Sequence, residues 1–362
     1  MLVAVLGQRR FSYYYAINAA LLTGYFCWRI LDFAGLRELL AKPKETVKAF
    51  KKAKKEKANA TEKAFLQPRA TWIKVIVAGI AIFFLAFFPN IDKANAIASR
   101  PPLITQGWYS SLVWLKDNSP EPFEDADFYY ERYETPFHYP ETAYSVMSWW
   151  DYGHWITRIA HRIPVSNPFQ QGAPEAGRFF IAQEEDSANQ ASELGVRYVV
   201  IDHLMPTAKF YAMPEWAGES NSVFREYYGV PLEGGGGTPQ WLGLLHYPSY
   251  YNSTVARLYN FDGEAVAPSE NSTVVVPWDG ESNWEAAKIG YKNITAEPKF
   301  FSSYEEAEDY VSNQESGNYV IGSFDPFMTP VPLEKMEHYE LVYASEQKWQ
   351  GKPTVKIFEY SE

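Results

Sequence analysis

Hydrophobic positions divide the chain into two regions with different patterns. Two continuous apolar runs lie at about residues 11–30 and 71–89. Each approaches the ~20 residues that an α-helix needs to cross the hydrocarbon core of a bilayer. Tyr13, Tyr14 and Trp72 stand near the ends of these runs, and amphipathic rings favour the membrane interface. The pattern therefore predicts a membrane protein with two transmembrane helices.

The segment between the two runs, residues 42–69, carries nine Lys and one Arg against three Glu. An excess of Lys and Arg in a short loop beside membrane spans marks the cytoplasmic side. We therefore expect residues 1–90 to form the membrane part of a multi-pass protein of the cell membrane, with a Lys-rich cytoplasmic loop. Everything after residue 90 is then predicted to be extracytoplasmic.

The charge distribution agrees with this topology. Residues 1–90 carry a net charge of +10 and the remainder −21, which together give the −11 of the whole chain. An acidic outer region does not attract polyanions, so nucleic acid is excluded as a partner. Cys27 is alone in the first run, which excludes a disulfide or a thiolate metal site within the chain.

The outer region shows short elements separated by Pro and Gly. Helices are predicted at 110–116 and 175–194, and a buried strand at 197–201. Past the glycine run at 234–237, β-type runs follow at 253–259, 272–277, 319–321, 339–344 and 354–360.

This change of pattern at the glycine run suggests a domain boundary. We expect a mixed α/β, mainly helical, core domain at 91–236 and a small β-rich peripheral domain at 237–362. Three glycosylation sequons begin at Asn252, Asn271 and Asn293, all in the outer region, which agrees with the topology.

One stretch of the outer region, residues 148–155 (SWWDYGHW), combines side chains suited to binding a hydroxyl group. Trp149 and Trp150 supply two N–H donors and no acceptor, while the carboxylate of Asp151 supplies only acceptors. A ligand hydroxyl, which both donates and accepts, matches this set, and a pocket of this kind rejects an analogue without the hydroxyl. The alternative is that the indoles are core residues and Asp151 belongs to a cap or a turn.

A second group of residues follows the predicted strand. Asp202, Met205, Lys209 and Met213 are spaced by three, four and four residues, so they would share one face if the segment is helical. The two thioethers would then provide adaptable apolar surface beside the two charged groups. The alternative is an Asp202 that caps the helix and two ordinary core methionines.

Residues 149–153 (WWDYG) match the signature pentapeptide of the oligosaccharyltransferase catalytic subunit, a family shared by archaea, eukaryotes and some bacteria. The spacing of the second group is similar to the second motif of the archaeal, AglB-like members, in the variant with Met. The stretch at residues 8–11 (QRRF) resembles the Arg-Phe entry to a late transmembrane helix of this family. The resemblance covers residues 1 to about 240.

The resemblance implies transfer of a glycan from a lipid-linked oligosaccharide of the dolichyl phosphate type to Asn in an acceptor polypeptide. The acceptor carries Asn-x-Ser/Thr, and its Ser or Thr hydroxyl would be bound by the first three residues of the pentapeptide. Met205 and Met213 would border the Thr methyl group, and Asp202 and Lys209 would shape the same pocket. Together the implied pocket comprises Trp149, Trp150, Asp151, Asp202, Met205, Lys209 and Met213.

Further roles implied by the resemblance concern the donor and the metal. Arg10 would face the lipid pyrophosphate, which suits the geometry of a guanidinium group. The family uses Mn²⁺ or Mg²⁺, whose ligands lie on loops upstream of the region matched here. We therefore expect the chain to be a fragment without the metal-binding catalytic half, or a partner that has lost it. Neither a catalytic nor a metal-binding residue is assigned within the chain.

Two other classes of function compete with this interpretation. A membrane-anchored glycosidase would use two carboxylates, such as Asp151 with Glu184 or Glu185. A non-enzymatic surface sugar-binding or envelope protein would also account for an acidic, aromatic outer region. Neither class explains the pentapeptide or the spacing of the second group.

Overall fold

The computed structural model of the chain describes residues 12–41, 59–99, 104–123, 125, 128, 138–230, 241–284 and 290–362. The chain divides into two compact units, residues 1–103 and 104–362. Arg10 and residues 42–58 of the Lys-rich loop lie outside the described residues.

The first unit is helical. Its elements are α1 (Ser12–Phe33), α2 (Leu36–Ala41), α3 (Asn59–Ile82), a π-helical turn (Phe83–Phe87) and α4 (Phe88–Ala98). Within the described residues, one continuous helix, Arg69–Ala98, is long and apolar enough to cross a membrane, and an 18-residue stretch of it has a mean hydropathy of 2.3. That helix contains the second predicted span. Helix α1 overlaps the first, whose membrane crossing stays a prediction.

The second unit contains helices and strands in alternation. Its helices are α5 (Gln106–Asn118), α6 (Ala173–Ile181), α7 (Glu184–Glu193), α8 (Ala212–Ala217), α9 (Pro248–Tyr251), α10 (Thr254–Phe261) and α11 (Tyr304–Ser312). Residues 150–160 form short successive 3₁₀, α and π turns. Its strands are β1 (Ser145–Met147), β2 (Ile163–Pro164), β3 (Val196–Asp202), β4 (Arg225–Val230), β5 (Trp241–His246), β6 (Thr273–Trp284), β7 (Gly290–Ile294), β8 (Lys299–Phe301), β9 (Asn318–Gly322), β10 (Tyr339–Ala344), β11 (Lys348–Trp349), β12 (Lys352–Pro353) and β13 (Val355–Tyr360).

The main core is built on a five-stranded sheet with the strand order β10-β13-β3-β1-β2. Strands β1, β2 and β3 are parallel, and β13 pairs antiparallel with both β3 and β10. Four consecutive residues of β3, Val199 to Asp202, are at most 2% exposed. A strand that is buried on both faces has a continuous apolar sequence, which is the pattern from which β3 was predicted.

The C-terminal residues complete this sheet. A separate peripheral domain at 237–362 was predicted, but its last strand belongs to the main sheet. Strand β13 lies beside β3 and joins the last residues of the chain to the core expected at 91–236. Strand β4, expected in the core domain, instead pairs with β5 and β7 in a second sheet. The glycine run lies outside the described residues, and strand pairing crosses it in both sheets. Hydrogen bonds between distant strands, rather than the change of local pattern, define the unit 104–362.

The second sheet contains six strands in the order β5-β4-β7-β6-β8, with β9 paired to β6. It has its own small core, formed by Tyr228, Leu245, Val274 and Val276. An isolated antiparallel bridge pairs His246, at the end of β5, with Ser323, the residue after β9.

Two predicted elements differ from the structure. The predicted strand 253–259 is helix α10, because Ser253 lies at its N-cap and its Val and Leu side chains are buried at helical spacing. The predicted helix 175–194 is broken between Ile181 and Glu184 into α6 and α7. The carbonyl of Ala182 at this break accepts hydrogen bonds from the backbone and side chain of Thr254.

We expect Ile357→Ala to destabilise the second unit by about 2–5 kcal/mol, because it opens a cavity beneath an interior strand. Ile357 is fully buried on β13. Leu341→Ala on the edge strand β10 is the control, since Leu341 is 36% exposed and its loss costs less than about 1 kcal/mol. Urea unfolding of the chain in detergent measures both changes. Equal effects would contradict the interior position of β13.

Candidate functional site

The topology brings the two groups of residues singled out in the sequence to one edge of the main sheet. Strand β1 ends at Met147, just before the pentapeptide, and β3 ends at Asp202. Because these strands are parallel neighbours, the segments that follow them leave the sheet side by side. The hydroxyl of Ser148 donates to the carbonyl of Val200 at 2.8 Å and fixes this arrangement. Carboxyl ends of parallel strands are where ligands bind in open α/β sheets.

The carboxylate of Asp202 lies at the centre of the site and is 2% exposed. Its Oδ2 accepts hydrogen bonds from Trp108 Nε1, at 3.0 Å, and from the Tyr152 hydroxyl. Its Oδ1 accepts from the backbone N–H groups of Leu204 and Met205, both at 3.1 Å. Four donors therefore replace the water that this buried charge has lost.

Tyr152 connects this carboxylate to the half-exposed part of the site. Burial, followed by the negative charge of Asp202, raises the pKa of its hydroxyl far above the usual range, so the group remains a donor. The rings of Tyr152 and Trp108 pack with their centroids 4.0 Å apart. The ammonium group of Lys209 lies 4.1 Å from the centroid of the Tyr152 ring, a cation–π contact.

Asp151 and Lys209 form an ion pair at the surface of the site. Their side chains are 33% and 23% exposed, respectively, so both groups remain accessible to a ligand. The pair joins the two sequence groups, because Asp151 belongs to the pentapeptide and Lys209 to the segment after β3. These two side chains therefore lie together, while the common pocket of all seven residues stays a prediction.

The two indoles of the pentapeptide occupy different environments. Trp149 is 1% exposed and belongs to the main core, whereas Trp150 is half-buried and packs against that core. Their ring centroids are 6.1 Å apart. Trp150 Nε1 is closed off from solvent and has no hydrogen-bond partner within the described residues. Such an orphaned donor costs about 1–3 kcal/mol, which a ligand oxygen would recover.

Gly153 ends the pentapeptide where the chain passes close to the loop after β2. A Cβ atom at this position would collide with the backbone oxygen of Ser166 and lie 2.7 Å from Asn167 Cα. A larger residue would therefore force either the pentapeptide or the loop at 166–167 to shift. Each residue of the pentapeptide thus has a different role. Trp149 is a core residue, Trp150 carries the unpartnered N–H, and Asp151 forms the ion pair. Tyr152 donates to Asp202, and Gly153 allows the close backbone contact.

The segment after β3 does not form the helix that the second group would need in order to share one face. Residues 203–211 form successive turns, and helix α8 begins only at Ala212. Met205 and Met213, expected to border the Thr methyl group, are fully buried in the main core. Asp202 accepts from the amides of residues 204 and 205 as an N-cap would, but Pro206 has no N–H with which to make the first helical bond, so the segment continues as turns. A direct role for the methionines in binding stays a prediction.

Trp108 is the site residue that sequence analysis missed. It lies in the first turn of α5, 94 positions before Asp202, and its partner cannot be inferred from an amphipathic pattern alone. Glu184, considered as a glycosidase carboxylate, accepts backbone N–H bonds from Glu337 and His338. Within the part of the chain that the structure describes, no group of three His, Cys, Asp or Glu side chains is placed to hold a metal ion.

Comparison with known proteins identifies the domain that carries this site. Residues 105–206 match the family model of the AglB core domain. Dolichyl-phosphooligosaccharide-protein glycotransferase 3 of Archaeoglobus fulgidus is 32% identical over 296 residues, covering 74% of this chain and 32% of the relative. Dolichyl-monophosphooligosaccharide–protein glycotransferase AglB of Haloferax volcanii is 31% identical over 383 residues, covering 94% of this chain and 33% of the relative.

The solved structures similar to this chain include the apo form of an Archaeoglobus fulgidus oligosaccharyltransferase. That match has 24% identity and a TM-score of 0.49, and it covers 99% of this chain and 42% of the other. The chain spans about a third of the length of the two curated relatives, in both of which the protein is named a glycotransferase. The recognition of an AglB-like C-terminal part is confirmed.

We expect Asp202→Asn to destabilise the second unit by about 3 kcal/mol, because an amide group would face two of the four donors that now bind the carboxylate. Asp186→Asn is the control, since Asp186 is exposed in the first turn of α7 and its change stays within about 0.5 kcal/mol. Urea unfolding of both variants provides the measurement. An Asp202→Asn variant as stable as the control would show that the four bonds do not hold the site.

Proposed function

We propose, on the premise that this chain is a C-terminal part of the archaeal AglB oligosaccharyltransferase family, that its site binds the Asn-x-Ser/Thr segment of an acceptor polypeptide. The whole protein would transfer a glycan from a dolichyl-type lipid-linked oligosaccharide to the Asn of that segment. The proposal rests on two observations, the unpartnered N–H of Trp150 and the partly exposed ion pair that the next residue, Asp151, forms with Lys209.

The chemistry of these three side chains suits the hydroxyl of Ser or Thr. Such a hydroxyl accepts the hydrogen bond that Trp150 Nε1 lacks and donates its own proton to the carboxylate of Asp151. Lys209 keeps Asp151 oriented by its charge, while Asp151 Oδ1 is left for the ligand. Because Trp150 Nε1 is closed off from solvent, the ligand oxygen reaches it after the covering side chains move.

The other residues of the implied pocket act through these three. Trp149, Met205 and Met213 are core residues, and in this proposal they form the floor of the site. Asp202 holds Tyr152, whose ring lies under the Lys209 ammonium group. In this proposal the buried methionines influence the choice between Thr and Ser through the shape of the floor rather than by lining an open rim.

The binding of the lipid-linked donor and of the metal ion is proposed to involve residues outside the described part of the chain. Arg10 is proposed to face the lipid pyrophosphate, and a divalent ion, Mn²⁺ or Mg²⁺, is proposed to be held by residues upstream of the matched region. In the described residues the carboxylates near the site are already engaged, since Asp151 pairs with Lys209 and Asp202 holds four donors. We therefore derive no step through a metal from this chain.

The membrane arrangement is proposed to comprise two spans, α1 and the helix Arg69–Ala98, joined by the Lys-rich cytoplasmic loop. Large apolar side chains along both helices are exposed, for example Leu21 at 69% and Leu85 at 81%. Exposed apolar surface of this kind suits contact with lipid. The second unit would then lie on the outer face of the cell membrane.

We expect Asp151→Ala to lower glycan transfer to an Asn-Ala-Thr peptide by at least about 100-fold, which corresponds to about 3 kcal/mol of lost binding to the hydroxyl. Transfer is measured with the full-length protein in membranes, and the unfolding temperature is followed in parallel. Glu226→Ala is the matched control, since it breaks the Lys292–Glu226 pair, whose side chains are similarly half-buried at 19% and 21% exposed. Transfer retained in Asp151→Ala would refute the assignment.

Trp150→Phe separates a binding role from a packing role. Because the indole N–H has no hydrogen-bond partner, the substitution should change stability only through packing. Trp114→Phe, outside the site, is the control and should lower stability by a similar amount. Transfer should nevertheless fall roughly tenfold, the value of one hydrogen bond to the acceptor hydroxyl. Transfer assays and thermal unfolding of the two variants provide the comparison. Equal transfer in both would leave the indole as a packing residue.

A further inference from the structure

The segment that carries Lys209 is held in place without regular secondary structure. Residues 203–211 form successive turns, with Thr207 Oγ1 bonded to the carbonyl of His203 at 2.6 Å and Lys209 N to the carbonyl of Leu204 at 2.7 Å. Turns of this kind leave backbone carbonyls outside any helical ladder, and buried carbonyls require partners. The position of the Lys209 side chain therefore depends on what binds the carbonyls that precede it.

Two consecutive carbonyls of this segment accept hydrogen bonds from side chains that belong to other elements. The hydroxyl of Tyr250, on α9, donates to the carbonyl of Pro206 at 2.7 Å. Nη1 of Arg225, on β4, donates to the carbonyl of Thr207 at 3.1 Å. Both bonds lie within three residues of Lys209 along the chain, and neither donor was suggested by the sequence.

The environment of these two donors favours a fixed geometry. Tyr250 is fully buried, and burial raises the pKa of its hydroxyl, so the group stays a donor. Arg225 is 9% exposed and has no carboxylate ion-pair partner within the described residues. It lies 4.8 Å from the Phe210 ring, on the wall of a cavity of about 870 Å³ that Thr207 also lines. The carbonyl of Thr207 is therefore a principal hydrogen-bond partner of the buried Arg225 guanidinium. A hydrogen bond from a charged donor is stronger than one between neutral groups.

The neighbouring ring of His246 adds packing rather than charge. Its centroid lies 4.5 Å from that of Tyr250. Burial, and then the charge of Arg225, lowers the pKa of His246 to about 3, so the ring is neutral around pH 7. Tyr250 and Arg225 are thus supported by the second sheet while they hold a segment of the main core.

We propose that Tyr250 and Arg225 are positioning residues that set the place of Lys209 relative to Asp151 and so determine acceptor affinity. This inference rests on the proposed function and extends it to residues that do not belong to either sequence motif. Small displacements of a binding group cost affinity out of proportion to the bond that is lost. The effect on acceptor binding should therefore exceed the effect on stability.

The chain offers a matched control for Tyr250. Tyr251 is also fully buried, and its hydroxyl donates to a backbone carbonyl, that of Asp325, at 2.6 Å. Tyr250→Phe and Tyr251→Phe each remove one buried hydroxyl–carbonyl bond, so similar losses of thermal stability are expected. In the full-length protein, Tyr250→Phe should raise the KM for an Asn-Ala-Thr peptide roughly tenfold with little change in kcat, while Tyr251→Phe leaves KM within about twofold.

A second pair tests Arg225 in the same assay. Arg257 is 7% exposed and also donates to a backbone carbonyl, that of Glu334. Arg225→Met should raise KM and Arg225→Lys should restore part of the affinity, whereas Arg257→Met should lower stability without raising KM. A KM raised equally by Tyr251→Phe and Tyr250→Phe would overturn the positioning role.

The outcome is distinguishable from a failure of the proposed function. If Asp151→Ala transfers normally, the acceptor-binding assignment itself is wrong, and the positioning role is overturned with it. If Asp151→Ala abolishes transfer while Tyr250→Phe behaves like Tyr251→Phe, only the positioning role is overturned.

Discussion

The buried carboxylate of Asp202 is the interaction on which the site depends. It ends strand β3, binds Trp108 from α5 and Tyr152 from the pentapeptide, and starts the turns that carry Lys209. A charge with 2% exposure is tolerated only when donors replace water, so each of these partners is fixed by the need to satisfy it. One side chain thereby joins three segments distant in the sequence.

Around this rigid centre, the parts that we propose to contact a ligand are the less buried ones. Asp151 and Lys209 remain partly exposed, and Trp150 retains a donor without a partner. Asp151 and Lys209, held on the rigid frame around Asp202, need little reorganisation when a ligand arrives, and this favours affinity, whereas Trp150 Nε1 is reached only after its covering side chains move. Fully buried residues such as Met205 then contribute through packing rather than contact.

The second sheet has a structural connection to this frame. Strand β4 supplies Arg225, and α9, which follows β5, supplies Tyr250, and both bind the turns before Lys209. Strand β13 from the C-terminus meanwhile completes the main sheet beside β3. A peripheral module attached by a linker would provide neither the Tyr250 hydrogen bond nor the pairing of β13 with β3. Residues beyond the glycine run are therefore part of the surroundings of the site.

The sequence by itself determined the elements with strong local signals, namely strand β3, helix α5, the apolar helix at 69–98 and the two residue groups that meet at the site. It indicated the family because the pentapeptide and the spacing of the second group resemble two motifs of that family. Tertiary structure alone decided that the segment 203–211 turns rather than forms a helix, that residues 254–261 are helical, and that Trp108 binds Asp202. The physical reason is that a buried carboxylate and a shared sheet edge are contacted by residues distant in the sequence. The local pattern of apolar and polar residues does not reveal such contacts.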